Sequence, residues 1–370
     1  MQYRKTQAVI NLNAILHNIK QHQNIIGSNK NLMAVVKANG YGHGATPVLK
    51  TAIEQGVTWA GVSSAEEAIQ LRKAGFNLPI LLMGGWYPEA IPAFLEHDIT
   101  PSLYSLNQAV LLNEFATKQK RCIGVHLKLE TGMGRLGFAE NQLSTFLEKL
   151  GVFPNIEIEG VFSHLSSADE QVTDFTNKQI GIFKKRVEQL KQFTDVKWIH
   201  VANSAGTSTI DDGVSNLYRL GISMYGQPTS DHISQKLDLK EAITWKTAIA
   251  HLQDYPKGYP ISYNRTFHTQ KKSTIATVCV GYADGYSRLL SNKGMVLVKG
   301  QRAPIVGRVC MDMLMIDVTE IENVSLYDEV VLIGRQGQEY ISATEMASWI
   351  NTINYEVVCN ISSRVPRHYQ

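Results

Sequence analysis

Residues 59–83 read WAGVSSAEEAIQLRKAGFNLPILLM, a stretch in which two short apolar runs flank a helical pattern. Trp59–Ser63 and Pro79–Met83 have the length and apolar character of buried strands, and Ala65–Ala74 has the spacing of an amphipathic helix. A strand, a helix and a second strand in this order are typical of a βαβ unit, whose two strands run parallel. The stretch therefore predicts a parallel sheet covered by helices.

The same alternation runs through the first 225 residues of the chain. Helical patterns recur at Leu106–Lys118 and Asn177–Phe193. The other strand-like runs, which bring the total to eight, are Leu32–Lys37, Thr100–Tyr104, Gly124–Glu130, Glu157–His164, Trp198–Asn203 and Leu217–Ile222. Eight such units predict an α/β fold with a closed (β/α)8 barrel of the TIM type. An open doubly wound sheet usually has fewer strands and carries a glycine fingerprint that this sequence lacks.

The pattern changes after about residue 235. Helical spacing is confined to Ala343–Ile350, and the strand-like runs are Ala242–His251, Ser273–Val280, Gly294–Val298, Val309–Val318 and Asp328–Ile333. Turn residues separate these runs, as expected of a mostly β domain. We therefore predict a barrel domain over residues 1–235 and a mostly β C-terminal domain over residues 236–370.

Composition narrows the class of protein. The 370 residues are 44% hydrophobic and carry a net charge of +3, without a dense Lys/Arg tract of the kind that favours nucleic acid or an anionic membrane. The N-terminus lacks the apolar core of a signal peptide, and no run reaches the roughly 20 apolar residues of a membrane span. The cysteines are too widely spaced for a disulfide framework or a zinc site. We expect a cytoplasmic enzyme or small-molecule binder without a metal.

Lys37 occupies the end of the first predicted barrel strand, in the stretch VVKANGYGHG of residues 35–44. The carboxyl ends of barrel strands carry the chemistry in this fold, and a lysine there can form a Schiff base with a carbonyl compound. A solvated lysine at the start of a loop is the alternative, and the position alone leaves both interpretations open.

The seventh and eighth strands end in features that fit a phosphate group. Asn203 and Ser204 lie in a turn of small residues, and loops after these two strands commonly bind phosphate through backbone N–H groups and a hydroxyl. Arg219 lies near the end of the eighth strand, where it could face a pyridine nitrogen. Together with a lysine at Lys37, these features indicate pyridoxal phosphate as cofactor.

Eight motifs in order along the chain carry a close resemblance to a known family. They are AVVKANGYGHGA at 34–45, KLETGMGRLGF at 128–138, GVFSHLSSAD at 160–169, VANSAG at 201–206, YRLGISMYG at 218–226, ISYNRTF at 261–267, VGYADGY at 280–286 and VGRVCMDMLMIDV at 306–318. The chain resembles the alanine racemases, pyridoxal-phosphate enzymes with a barrel followed by a β domain. The resemblance covers nearly the whole sequence and implies interconversion of L-alanine and D-alanine, which supplies bacterial peptidoglycan.

Racemisation requires two acid–base groups on opposite faces of the substrate. The resemblance implies that Lys37 is one and Tyr263, in ISYNRTF, is the other. A phenol with a pKa near 10 is a poor base at neutral pH unless its surroundings stabilise the phenolate. The resemblance therefore also implies that His164 hydrogen-bonds Tyr263, with Arg219 behind the histidine.

The resemblance assigns the remaining site residues. It implies cofactor contacts from Lys37, Tyr41, His164, Asn203, Ser204, Arg219, Gly221, Ile222 and Tyr355, and substrate contacts from Arg135, Met311, Asp312, Tyr282 and Tyr286. An arginine at the ring nitrogen can only donate a hydrogen bond, so the ring stays unprotonated and withdraws electrons more weakly.

Lys128 and Arg135 would repel each other inside a barrel, and the strand pattern places His126, Lys128 and Glu130 on one face. In the family a lysine at the position of Lys128 is often carbamylated, which reverses its charge and lets it hold the arginine. The sequence departs from the common family pattern at Glu130 and Leu220, where aspartate and proline are frequent.

Family members are homodimers in which the β domain of one subunit covers the barrel mouth of the other. Three alternatives differ in chemistry or class. A racemase of broader specificity would act on serine or larger amino acids, and a decarboxylase of the same fold would carry an acidic residue in place of Arg219. A cofactor-carrier protein would normally end near residue 230 and lack Tyr263.

Overall fold

The computed structural model describes residues 4–27, 29–235 and 237–370. Its strands are β1 (Gln7–Ile10), β2 (Asn31–Val35), β3 (Trp59–Val62), β4 (Ile80–Leu82), β5 (Ile99–Leu103), β6 (Ile123–Lys128), β7 (Ile156–Phe162), β8 (Trp198–His200), β9 (Leu217–Leu220), β10 (Ile243–Tyr255), β11 (Pro260–Ile261), β12 (Phe267–His268), β13 (Ser273–Val278), β14 (Met295–Val298), β15 (Gln301–Pro304), β16 (Leu314–Asp317), β17 (Glu329–Gln336), β18 (Glu339–Ile341) and β19 (Arg367–Tyr369).

The right-handed helices of the described residues are α1 (Leu12–Ile26), α2 (Ala45–Glu54), α3 (Ala65–Lys73), α4 (Ile91–Glu96), α5 (Leu106–Gln119), α6 (Glu140–Glu148), α7 (Asp174–Lys191), α8 (Ser204–Thr209), α9 (Asp231–Ser234), α10 (Ala343–Trp349) and α11 (Asn354–Cys359). None of them, within these described ranges, has the length and apolar character needed to cross a membrane.

The chain divides into two compact units. The barrel unit comprises the described residues of 15–40 and 45–239, and the β unit comprises those of 1–14, 41–44 and 240–370. Strand β1 belongs to the sheet of the β unit, where it pairs with β10 and β19. The division at residue 235 stays a prediction about domain organisation, and β1 adds an N-terminal strand that the sequence pattern did not indicate.

The barrel unit confirms the predicted (β/α)8 architecture. Its eight strands follow the order β8-β7-β6-β5-β4-β3-β2-β9, and each neighbouring pair is parallel. Asn216 N donates to Ile199 O at 3.0 Å and Arg219 N to Ala202 O at 3.4 Å, which joins β8 to β9. Apolar side chains fill the interior, with a cluster formed by Met33, Trp59, Leu81, Phe162 and Leu217.

Several barrel strands are shorter than the sequence predicted. Strands β2, β7 and β8 end at Val35, Phe162 and His200, so Lys37, His164 and Asn203 lie beyond the ladder. Apolar alternation reports which side chains face a core, whereas a strand ends where its backbone hydrogen bonds stop. The site residues therefore project from the turns at the strand ends.

Lys37 begins a left-handed turn. Ala38, Asn39 and Gly40 have φ values of 51°, 52° and 62°, a conformation that costs about 1–2 kcal/mol for each residue with a Cβ. Glu67 compensates for part of this strain, because its carboxylate accepts from Ala38 N and from Ser63 N, each at 2.7 Å. A carboxylate on α3 thus holds the backbone that carries the lysine.

The β unit is built around the long strand β10. This strand pairs antiparallel with β1, β13 and β17, while β19 runs parallel to β1. The predicted strand Val309–Val318 is wrong in its first half, because Cys310 N donates to Met313 O at 2.9 Å and closes a turn before β16. The unit also contains α11, which the sequence analysis missed.

Candidate active site

A cavity of about 240 Å³ lies at the carboxyl ends of the barrel strands. It is lined by Lys37, Val62, Ser63, Met83, Gly84, Gly85, Lys128, Arg135, Leu136, Phe162, His164 and Arg219. Two lysines and two arginines thus face a space that, among the described residues, no acidic side chain lines. Such a concentration of positive charge favours an anionic ligand. The described residues contain no group of three or more His, Cys, Asp or Glu side chains that could hold a metal.

Lys128 projects from the end of β6 and is nearly buried. Burial, followed by the positive charges of Arg135, Arg219 and Lys37, lowers the pKa of Lys128 to about 7. A substantial fraction of this amine is therefore neutral at neutral pH, and only the neutral amine is a nucleophile. Lys128 and Arg135, which the sequence analysis expected to repel each other, line the same cavity, and the charge of Arg135 contributes to the lowered pKa of Lys128.

Glu130 does not share a strand face with Lys128, because β6 ends at Lys128. Its carboxylate turns back and accepts from Gly132 N at 2.5 Å and from Gly134 N at 2.9 Å. The predicted strand position of Glu130 is wrong for this reason. Glu130 instead shapes the turn that leads to Arg135.

Arg219 is buried at the end of β9, and both of its terminal nitrogens are fully engaged. Nη1 donates to His200 Nδ1 at 2.9 Å and to His200 O at 3.1 Å. Nη2 donates to Ser163 O and Val201 O, each at 2.9 Å. Burial lowers the pKa of Arg219 to about 9, which leaves the guanidinium protonated at neutral pH. Its Nε makes no hydrogen bond to any described residue, so one donor remains for a ligand in the cavity.

His164 lies beside Arg219, as predicted, with 3.4 Å between His164 Nδ1 and Arg219 Nη2. Burial first, then the charges of Arg219, Arg135, Lys128 and Lys37, hold the pKa of His164 well below its usual value. The ring is therefore neutral. Because Nδ1 faces a donor, the proton of this ring is assigned to Nε2.

The small-residue turn after β8 meets the end of β9. Asn203 begins α8, where its Oδ1 accepts from Gly206 N at 3.1 Å. Ser204 Oγ accepts from Gly221 N at 2.8 Å. Ile222 follows directly and is fully buried. The structure thus brings together four of the residues that the family resemblance assigns to the cofactor.

Tyr263 lies in the β unit, and 68% of its surface is exposed. Its neighbours Ser262, Asn264 and Arg265 have φ values of 65°, 58° and 49°, which L-residues rarely adopt. Ser262 Oγ donates to Arg308 O at 2.8 Å and holds this turn. A strained turn thus presents an exposed tyrosine at the edge of a groove of about 470 Å³.

Tyr282 and Met311 also lie in the β unit and are 42% and 52% exposed. Their segments are joined by backbone bonds of 3.0 Å from Tyr282 N to Cys310 O and from Ala283 N to Met311 O. Asp312 accepts from Arg364 Nη2 at 2.7 Å. Three of the predicted substrate residues are therefore neighbours in this unit.

Tyr286 is a correction to the predicted substrate set. Its side chain is fully buried in the β unit, 5.6 Å from Trp245 between ring centroids. A tyrosine buried in this core cannot contact the substrate, a role that the family resemblance implied for both Tyr282 and Tyr286. Tyr41 and Tyr355, the two tyrosines that the resemblance assigns to the cofactor, contact each other edge to face with 6.2 Å between ring centroids.

Several residues that the sequence patterns did not indicate hold the site residues in place. Asp284 is fully buried and accepts two bonds of 2.6 Å from Arg4, while Gly281 N donates to it at 3.0 Å. This pair holds the turn that carries Tyr282. His200, the partner of Arg219, was also missed, although a histidine in an apolar barrel strand was a visible signal.

Comparisons with known proteins cover the whole chain. Residues 10–228 match the family described as "Alanine racemase, N-terminal domain", and residues 242–369 match "Alanine racemase, C-terminal domain". An alanine racemase of Halothermothrix orenii is 44% identical over 368 residues, which are 99% of this chain and 97% of the relative.

Solved structures show the same similarity. The alanine racemase of Bacillus anthracis with bound L-Ala-P superimposes with a TM-score of 0.94 at 40% identity, covering 100% of this chain and 96% of that one. The alanine racemase of Bartonella henselae with covalently bound pyridoxal phosphate has a TM-score of 0.90 at 29% identity, covering 99% of both chains.

Proposed function

The chain belongs to the alanine racemase family, and we propose on this premise that it interconverts L-alanine and D-alanine with pyridoxal 5'-phosphate as cofactor. The observation that carries the proposal beyond family membership is the state of Arg219. A buried guanidinium with one unused donor lines a cavity without acidic side chains among the described residues.

The residues of the barrel unit fit the cofactor. The unused Arg219 donor suits the lone pair of an unprotonated ring nitrogen, and the remaining positive charge suits a phosphate and a phenolic oxygen. Lys37 would hold the cofactor covalently, Arg135 would reach its phenolic oxygen, and His164 would lie beside the ring. The phosphate would contact Asn203, Ser204, Gly221, Ile222, Tyr41 and Tyr355.

When bound, pyridoxal phosphate withdraws electrons from the α-carbon of an amino acid and lowers the barrier to removal of its α-proton. Because Arg219 would donate to the ring nitrogen without protonating it, the withdrawal would be moderate. Moderate withdrawal favours return of the proton to the same carbon. A decarboxylase, in contrast, would be expected to place an acidic residue at this position.

Lys37 and Tyr263 would exchange protons with the α-carbon from opposite faces. The neutral His164 would donate its Nε2–H to the oxygen of Tyr263 and stabilise the phenolate that a base at neutral pH requires. Arg135 and the backbone N–H of Met311 would bind the substrate carboxylate, with Asp312 and Tyr282 beside them.

We infer that the protein is a homodimer in which Tyr263 of one copy serves the barrel of the other. Support comes from the β unit, where Tyr263, Tyr282 and Met311 are exposed and Tyr263 lines a groove. A second copy of this chain is the partner that the family resemblance implies. We further propose that the protein acts in the cytoplasm, supplies D-alanine for peptidoglycan, and has no nucleic-acid or membrane partner.

Lys128 would carry a carbamate in the working enzyme. Its lowered pKa provides a neutral amine, which adds to CO2 with loss of one proton and becomes an anion. The anion would then hold the guanidinium of Arg135 that the free lysine repels.

The function is tested by incubating the purified enzyme with L-alanine, L-serine and a larger L-amino acid in parallel. Formation of the D-enantiomer is measured by chiral chromatography, and the amine that decarboxylation would release is measured in the same samples. We expect D-alanine to form fastest. A faster reaction with serine or a larger substrate would replace alanine as the substrate, and release of an amine would contradict the proposal.

A further inference from the structure

A line of buried hydrogen bonds runs from Arg219 into the barrel interior. Arg219 Nη1 lies 2.9 Å from His200 Nδ1, and His200 Nε2 lies 2.9 Å from His126 Nδ1. His126 lies on β6 and His200 on β8, the two strands that flank β7 in the barrel. Both side chains are fully buried. We call the side chains of Arg219, His200 and His126 the histidine relay.

Only one direction of hydrogen bonding is possible along the histidine relay. A protonated guanidinium can only donate, so His200 Nδ1 must accept. Burial first, and then the charge of Arg219, holds the pKa of His200 well below its usual value and lowers that of His126 to about 3, so both rings are neutral. The single proton of His200 is therefore on Nε2, and His126 Nδ1 accepts it.

The relay ends at a donor without an acceptor. The proton of His126 is on Nε2, and this buried atom has no hydrogen-bond partner among the described residues. A buried polar group without a hydrogen-bond partner destabilises the folded protein. Close neighbours restrict rotation of the ring. Its centroid lies 5.0 Å from that of Trp59, and it packs so tightly on Gly160 that a Cβ added there would lie 2.6 Å from it. Leucine or phenylalanine at position 126 would leave no buried polar group without a partner.

We propose that His126 is a positioning residue for the racemase reaction, which accepts from His200 and so keeps His200 Nδ1 available to Arg219. Without an acceptor at His126, the Nε2–H of His200 loses its hydrogen bond, and this bond no longer holds the ring in one orientation. Rotation of the ring would withdraw Nδ1 from Arg219 Nη1 and loosen the guanidinium. The part that concerns the cofactor rests on the proposed function, because that function places Arg219 at the ring nitrogen.

Two substitutions of His126 distinguish the loss of its hydrogen-bond acceptor from a change in its packing. His126→Asn keeps an acceptor near the position of Nδ1, whereas His126→Leu keeps a similar volume without an acceptor. The matched control is His22→Leu, because His22 is also fully buried in the barrel unit and neither of its ring nitrogens has a partner among the described residues.

The experiment uses the cofactor-loaded enzyme with 15N-labelled histidine rings. Ring 15N shifts identify the protonated nitrogen of each histidine, the visible absorption reports the surroundings of the cofactor, and kcat and KM are measured with alanine. We expect the native protein and His126→Asn to show a neutral His200 protonated at Nε2. In His126→Leu, the Nδ1 signal of His200 should lose the shift of a nitrogen that accepts a hydrogen bond, the absorption should shift, and kcat should fall about 10-fold with KM little changed, since a loss of about 1.4 kcal/mol is tenfold.

Three results would overturn the relay. They are a native His200 protonated at Nδ1, which needs no variant to observe; a His126→Leu protein with native shifts and kcat; and equal losses in His126→Asn and His126→Leu. The His22→Leu control should change stability without changing the shifts of His200. Because ring shifts are read whether or not alanine reacts, a native protein without racemisation contradicts the proposed function alone.

Discussion

The two units present their candidate site residues in opposite ways. In the barrel unit, Arg219 and Lys128 are buried, and three carbonyls and one imidazole hold Arg219 at four bonds of 2.9–3.1 Å. In the β unit, Tyr263 and Met311 lie mostly exposed on turns held by their neighbours. The barrel is thus preorganised before a ligand arrives, whereas the β unit offers side chains whose final surroundings a second copy would complete.

This contrast predicts where substitutions act. A buried, multiply bonded group affects both stability and chemistry when it is changed, because its partners lose their bonds as well. An exposed group on a turn affects chemistry with little effect on the free energy of unfolding.

The largest effect is expected at Lys37. Lys37→Ala would remove the proposed covalent attachment and one proposed acid–base group together, so racemisation should fall by more than the roughly 10²–10⁴-fold of a single acid–base group. Borohydride reduction of the native enzyme should fix the cofactor to the peptide that contains Lys37. A label on the peptide of Lys128, the other lysine of the cavity, would move the attachment point there.

Tyr263→Phe is expected to lower racemisation by at least about 10²–10⁴-fold, because no other group is assigned to that face. The melting temperature should stay unchanged, since the side chain is mostly exposed. Tyr286→Phe is the matched control. It should leave racemisation in both directions near native, because its buried hydroxyl has no partner among the described residues. Near-native turnover of Tyr263→Phe in both directions would assign the second base to another residue.

Arg219→Glu places an acid where the guanidinium donates and should slow racemisation by about 10²-fold, the usual effect of losing one preorganised charge. Stronger electron withdrawal should produce a new long-wavelength absorption band during turnover and pyruvate as a side product. Rapid-scan absorbance with alanine and a pyruvate assay measure both. Arg219→Lys, which keeps the positive charge, should show neither, and a Glu variant with native behaviour would place Arg219 away from the ring.

The smallest expected effect concerns His22, which burial keeps neutral by lowering its pKa to about 4. The unfolded chain binds a proton near pH 6.5 and the folded chain does not, so stability present above pH 6.5 is lost as the pH falls toward 4. At pH 5.5 the loss is roughly 1.4 kcal/mol, since one pKa unit corresponds to about 1.4 kcal/mol. Denaturant unfolding of the native protein and His22→Leu should show a smaller loss between pH 7 and pH 5.5 in the variant; equal losses would contradict the prediction.

Short-range patterns in the sequence were sufficient for the architecture. Strand-helix alternation of the kind seen at Trp59–Met83 predicted the barrel, because a parallel strand needs a crossover helix and both elements show their period within about 20 residues. The same reasoning placed Lys37 and Arg219 at strand ends, and the family resemblance added Arg135 and His164; all four line one cavity in the structure.

Other features depended on which distant residues meet. Glu67 supports the turn at Ala38, Arg4 pairs with Asp284 across 280 positions, and His126 meets His200 across 74 positions. Periodicity reports the face on which a side chain lies but carries no information about the atom opposite it. Tyr282 and Tyr286 show the same limit, since one motif contains both and only the packing of β unit residues such as Trp245 separates the exposed tyrosine from the buried one. Hydrogen-bond direction and burial are properties of neighbours in space, and these neighbours exist only once the chain has folded.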